Sequence, residues 1–196
     1  MHSPGISRTG SLGVLTALVL GLAFGAVVVA EEELPINLQA VAANIGARGP
    51  RGQTRIDIRV TRWSTAEERA SLMEAVKDPA SRSLPDALQA QDSVGRLRQI
   101  QGLGHELRYS RMIPMEDGGM QIILATDRRI AFVEAARNTR SMDNNVSLII
   151  LNLDAEGNGE GQLMAGAEMV WDEEANRLTI EQLSSEPVRL GSIRRR

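Results

Sequence analysis

After the first thirty residues the chain holds a single histidine, His105, followed directly by Glu106. An imidazole beside a carboxylate suits proton transfer, and it can also begin a metal site. Histidine-based zinc sites usually draw on more than one histidine, and no His-x-x-x-His or Glu-x-x-His spacing occurs here. The hydrolase chemistry open to the chain is therefore narrow: His105, or a carboxylate such as Asp127, acting as base. The plainer reading makes His105 a surface residue between Gly104 and a strand. Asp154 to Gly161 has the Asp, Glu, Asn and Gly of a calcium loop without the EF-hand order, so a hairpin turn is the simpler assignment. Asp143-Asn144-Asn145 is read the same way. The pairs Glu67/Glu68 and Glu173/Glu174 read as solvated charge on a helix start and a turn. Gly-x-Ser-x-Gly, Walker and dinucleotide motifs are absent, and no metal or cofactor is expected. With no cysteine in the sequence, disulfides and thiolate chemistry are excluded.

Arginine offers a different chemistry. Lys77 is the only lysine among 22 basic residues. Arg55, Arg59, Arg96, Arg98, Arg108, Arg111 and Arg128 fall on or beside predicted strands. A guanidinium binds carboxylate or phosphate in a two-pronged geometry that lysine cannot match. Several on one face would take a small anionic ligand or a polyanionic glycan. Arg108 and Arg128, with His105 and Asp127, are the candidate ligand-binding residues. The simpler alternative is cross-strand ion pairing with Asp57, Glu106 and Glu181. Under that alternative, exchanging Arg108 and Arg128 for alanine leaves ligand binding intact.

These groups must be positioned by what lies between them. Arg8 sits in a short polar start, Leu12 to Val29 is apolar and small, and Val28-Val29-Ala30 precedes three glutamates. This is the pattern of a secretory signal peptide over 1–30, cleaved after Ala30. An uncleaved anchor is the alternative. The expected product is one β-rich domain over 31–196, secreted or periplasmic and free of the membrane after cleavage. Only Arg8 of the basic residues, and none of the 25 acidic ones, precedes Glu31, which leaves 31–196 at a net −4. That balance argues against a nucleic-acid partner.

Within the domain, Ile36, Leu38, Ala40 and Ala42 alternate with more polar neighbours, and Ile56, Ile58 and Val60 alternate with Arg55, Asp57 and Arg59. Both read as strands, paired as a hairpin. Gly46 to Gly52 reads as a loop between them. Ser64-Thr65-Ala66-Glu67 reads as a helix-start capping box, with Ala66, Ala70, Met73 and Val76, or Leu72 and Val76, as the buried stripe. Asp78-Pro79 stops that helix. Ser83-Leu84-Pro85-Asp86 opens a shorter helix over 84–90. Arg96 to Ile100 is placed at a sheet edge, as is Glu186 to Leu190 because proline cannot donate to a ladder. Glu106 to Met112 and Met120 to Thr126 flank a turn at Glu116 to Gly119. Ile130 to Ala136 is ambiguous, and Asn138 to Asn145 is a polar loop. Val146 to Leu153 is apolar on both faces, the mark of a strand covered on both sides, and pairs with Gln162 to Trp171 as the spine of the domain. Asp172 to Asn176 turns into Arg177 to Glu181, and Arg194-Arg195-Arg196 is a solvated tail. The fold class is α+β, predominantly antiparallel β: a sandwich or closed barrel of about eight or nine strands with a helical insertion near 65–91.

Arg62-Trp63-Ser64, Leu107-Arg108-Tyr109, Ala125-Thr126-Asp127-Arg128 and Glu186-Pro187-Val188-Arg189-Leu190 occur in this order. In them the chain resembles a family of secreted bacterial proteins of uncharacterised function. The resemblance covers most of residues 31–196 and implies a single exported β-rich domain; it carries over no catalytic residue. The leading expectation is an exported, non-enzymatic domain that binds a small anionic ligand or an envelope protein through a sheet face or barrel mouth. The alternatives are the hydrolase above and an accessory protein of an envelope assembly, using the Arg96 to Ile100 edge for strand addition.

Overall fold

Period-2 alternation carries most of this architecture. The structure, a computed structural model, describes residues 33–44, 52–78, 83–99, 104–130, 146–175, 177–182 and 187–196. The expected signal peptide with its cleavage point, the 46–51 loop, the ambiguous 131–136 stretch and the 138–145 loop lie outside the described residues. In chain order the elements are β1 (Ile36–Asn44), β2 (Gly52–Val60), α1 (Ala66–Lys77), α2 (Leu84–Gln89), β3 (Gly95–Gln99), β4 (Gly104–Leu107), β5 (Tyr109–Pro114), β6 (Met120–Thr126), β7 (Ser147–Leu153), β8 (Gly159–Ala165), β9 (Ala167–Asp172), β10 (Arg177–Gln182) and β11 (Val188–Arg195).

Nine strands form one antiparallel sheet in the order β4-β3-β2-β1-β11-β8-β7-β6-β5. The sheet curls into a nearly closed barrel, and its two outermost strands are consecutive in the chain. β4 pairs with β3; after Arg108 the chain passes to β6 as β5, with the Arg108 N–H donating to the Ala125 carbonyl at 2.8 Å. The expected single strand over 106–112 is therefore two strands with different partners. Thr61 to Ser64 helps to seal the seam, since the Ser64 N–H donates to the Ser110 carbonyl at 3.0 Å.

The register puts Ile36, Leu38 and Ala40 opposite Val60, Ile58 and Ile56. All of these, with Leu97, Leu107, Ile122, Leu124, Ile149, Leu151, Leu163 and Leu190, are buried in one core cluster inside the barrel. Each large side chain removed from water contributes about 1.5–3 kcal/mol, so the interior is a packed core. β7 lies between β6 and β8, with its inner face buried throughout; its outer face is covered at Leu148 but open at Asn152, so the expected covering of both faces holds only in part. Its partner segment is divided: β8 ends at Ala165, Gly166 turns at φ 72°, and β9 leaves to pair with β10 in a separate two-stranded ribbon. A positive φ of that size favours glycine.

Three edge and tail assignments are corrected. β3 is hydrogen-bonded to β2 and β4, so Arg96 to Gln99 offers no free edge for strand addition. β11 lies between β1 and β8; Pro187 precedes it, so no ladder donor is lost. Arg194 and Arg195 belong to β11 and pair with Gln39 and Leu38 instead of trailing as a tail.

The helices cover the outer side of the barrel around β6 and β7. Leu72, Ala75, Ala87 and Leu88 pack with Ala125, Val146, Leu148 and Ala167 in a second core cluster. The buried residues of α1 are Leu72, as in the second expected stripe, and Ala75, which neither stripe contained; Val76 is only half-buried. Its capping box is shifted by one residue: Thr65 is the N-cap and Glu68 completes the box. Ser83 caps α2 as expected. At the end of α1, Lys77 Nζ lies 5.1 Å from the Trp171 ring centroid and ties the helix to the β9–β10 ribbon. No described helix is long and apolar enough to cross a membrane.

Candidate functional site

The four residues expected from the sequence to bind ligand lie along one stretch of the barrel seam. His105 is on β4, opposite Leu97 and half-buried; Arg108 is the bend between β4 and β5. Asp127 and Arg128 follow the end of β6, the strand that β4 runs beside. Topology brings them to one region, but their side chains take different roles. Arg108 Nη1 donates to the Gln91 carbonyl at 2.9 Å, and its Nε is buried without a hydrogen-bond partner. The Asp127 carboxylate accepts from the Thr126 hydroxyl at 3.3 Å. The Arg128 backbone is held by the Ser147 hydroxyl, which donates to its carbonyl at 2.8 Å, while its side chain is exposed. Arg108 thus supports the seam, whereas the Arg128 side chain is exposed to solvent. Among the described residues no three His, Asp or Glu side chains are grouped to hold a metal ion.

A second polar cluster sits where the helical insertion joins the barrel. Arg62 meets Glu68 through two hydrogen bonds, of 2.9 and 2.8 Å, and donates to the Asp92 carbonyl at 3.1 Å. The Arg62 guanidinium holds the Glu68 carboxyl below its ordinary value, against an upward push from burial; the Thr65 N–H adds to the lowering. Reciprocally, the Glu68 hydrogen bond raises Arg62. Ser64 and Ser110, 2% and 0% exposed, interlock: the Ser64 hydroxyl accepts from the Ser110 N–H at 3.0 Å, and the Ser110 hydroxyl donates to the Arg62 carbonyl at 2.8 Å. Arg69 donates to the Ser64 carbonyl. Glu68, read from sequence as solvated charge, is a structural residue.

The third arrangement is the outer face of β11, β1, β2, β3 and β4. Pleating sends Arg55, Asp57 and Arg59 outward on β2, Arg96 and Arg98 on β3, Glu106 on β4 and Arg194 on β11. The expected ion pairing is found for two of these arginines: Arg98 lies 3.4 Å from Asp57 and Arg96 lies 3.8 Å from Glu106. The side chain of Glu181, the third expected partner, lies outside the described set. Arg55, Arg59 and Arg194 are exposed and have no acidic partner among the described residues. Arg59 stands directly opposite Arg96. The Arg96 side chain nevertheless turns away from Arg59, toward Glu106 on β4. Arg96 lies across Gly104, where an added Cβ would collide with its Nε. This arginine wall includes Arg194, which reading the terminal arginines as a tail concealed; the signal was the run of inward Val188, Leu190 and Ile193 that precedes them.

Beside the wall, Ile150, Asn152, Glu160, Gly161, Gln162, Pro187 and Arg189 line an open groove of about 640 Å³. Its charges are satisfied by an Arg189–Glu160 pair at 2.9 Å. Comparison with family models, curated proteins and solved structures finds no match to this chain.

Proposed function

We propose that this protein is an exported binding domain, acting without chemistry of its own, that engages an anionic partner through its arginine wall. The observation that carries the reading is charge segregation. A chain of net −3 presents Arg55, Arg59, Arg96, Arg98 and Arg194 on one outer sheet face, interrupted there by Asp57 and Glu106. A concentrated field of one sign raises the local concentration of an oppositely charged partner. The filled barrel interior is in keeping with recognition by an outer face rather than a lumen. The leader-like segment before Glu31 supports export, and the resemblance to secreted bacterial proteins belongs to the same proposal.

The test is retention on a sulfonated cation exchanger at pH 7 and low salt, using protein purified from an exporting bacterial host. Net charge alone predicts flow-through. Retention that disappears in a folded Arg55→Ala/Arg59→Ala/Arg96→Ala variant supports the proposal, whereas flow-through of the parent protein removes it.

A further inference from the structure

We propose that the outer edge of β10 pairs with β10 of a second copy of this chain, joining two β9–β10 ribbons into one four-stranded antiparallel sheet about a twofold axis at Thr179. This contact involves no residue of the arginine wall and is independent of the function proposed above.

The ribbon is where apolar surface is left uncovered. Among the described residues the exposed large hydrophobic side chains are Val170, Leu178 and Ile180, all on β9 or β10. Register puts Leu178 opposite Trp171 and Ile180 opposite Met169, so these four share one ribbon face. The β9 half of that face is covered: Ala167 is buried in a cluster with Leu72 and Ala75 of α1, Met169 packs against the same cluster, and Trp171 meets Lys77. The β10 half is open, with Leu178 37% and Ile180 39% exposed. Among the described residues β10 has no strand partner on its outer side. A strand edge with unpaired N–H and C=O groups is a template for another strand, and a two-stranded ribbon gains stability from added strands.

The sequence of β10 selects a second copy as the occupant, because it complements itself. A twofold axis at Thr179 sets Thr179 opposite Thr179, Leu178 opposite Ile180 of the second copy, and position 177 opposite position 181. Those last two positions are Arg and Glu. Paired threonines, apolar pairs and opposite charges all stabilise antiparallel neighbours. In an isologous contact the Leu–Ile and Arg–Glu rows each occur twice. Moving the axis to Leu178 or Ile180 sets a charged position opposite Thr179 and leaves the charges unmatched. The axis also preserves the two sheet faces, so Leu178 and Ile180 of both copies form one apolar strip between the covered halves. Two strands of 6 residues make a contact smaller than a standard interface, which puts the association in the micromolar range.

The experiment is sedimentation equilibrium of the protein, purified from an exporting host, at rising concentration, with hydrogen exchange read on β10. The parent protein should pass from monomer to dimer in the micromolar range, and the β10 amides should gain protection in step. Arg177→Glu and Glu181→Arg each set like charges opposite one another at two symmetry-related places, so each variant alone should self-associate about tenfold more weakly. Mixed together, the two variants match opposite charges at both places and should recover the parent affinity as a heterodimer. That recovery also shows that both variants are folded. A parent protein that stays monomeric would overturn the proposal, and β10 amides protected in that monomer would mean that the chain covers its own edge. Exchange at β10 that does not change with concentration would overturn it whatever the variants do. A dimer that neither variant weakens would place the contact elsewhere and overturn it too, as would a mixture that associates no better than either variant alone.

Discussion

The arginines at the seam and the arginines on the wall share a side chain and differ in almost everything else. Arg62, Arg69 and Arg108 point to backbone carbonyls of Asp92, Ser64 and Gln91, and Arg62 is also held by Glu68. They join an insertion to a barrel, at a place where serine hydroxyls are buried and polar groups must be matched. Arg55, Arg59 and Arg194 stand on a regular ladder whose backbone needs are already met by neighbouring strands. Seam arginines answer the fold's demand for donors, whereas Arg55, Arg59 and Arg194 meet no acidic partner among the described residues. The same residue type is structural where the ladder breaks and available where it is continuous.

The contrast can be broken most strongly at the serines. Ser64→Ala leaves the buried Ser110 N–H without its acceptor, and should cost about 2 kcal/mol, the range for an unsatisfied buried donor. Urea denaturation would measure it; a loss below a few tenths would mean that the seam is held by packing alone. The Arg62–Glu68 pair comes next. Its side chains are 33% and 19% exposed, so water screens part of the interaction. A double-mutant cycle with Arg62→Ala and Glu68→Ala should give a coupling of about 1 kcal/mol, and a coupling near zero would demote the pair to surface charge.

Acid should act on the same pair. The folded-state pKa of Glu68 is lowered below its ordinary 4.5, so its contribution is complete above that value and is lost as the pH falls through the lowered one. Stability curves of the parent protein and Arg62→Ala should therefore converge at acidic pH, and a constant gap would contradict the pairing. The smallest effect should carry the opposite sign. Arg59→Ala removes one of two like charges at opposed register positions, and should stabilise the protein by about 0.3 kcal/mol at low salt. Destabilisation would show that Arg59 supports the fold and would weaken its assignment to the wall.

Much of this arrangement was legible residue by residue. Alternation along Ile36 to Ala42 and Arg55 to Val60 assigns each side chain to the inner or outer face, because strand pleating has a period of two. The caps at Thr65 and Ser83 were readable to within one residue, since capping is a local hydrogen-bonding requirement. The misplaced edges share a different cause. Polar Arg96 to Gln99 looks like an edge when the chain is read alone, but a strand whose outer face is solvated is polar on that face even when both neighbours are present. Glu68 was missed because its partner, Arg62, lies outside the helix.

The sequence by itself determined which residues point inward, where the helices begin, the turn chemistry between hairpin strands, and the exclusion of cysteine chemistry. Only the tertiary structure decided that the sheet curls into a barrel, that the chain switches partners at Arg108, and that Ser64 meets Ser110 across 46 residues. It also decided that Arg59 faces Arg96 and that Arg194 joins the same wall. The physical reason is that inward or outward direction follows from neighbouring residues, whereas the meeting of distant residues depends on strand order and register. Those are set by the burial of the whole core at once.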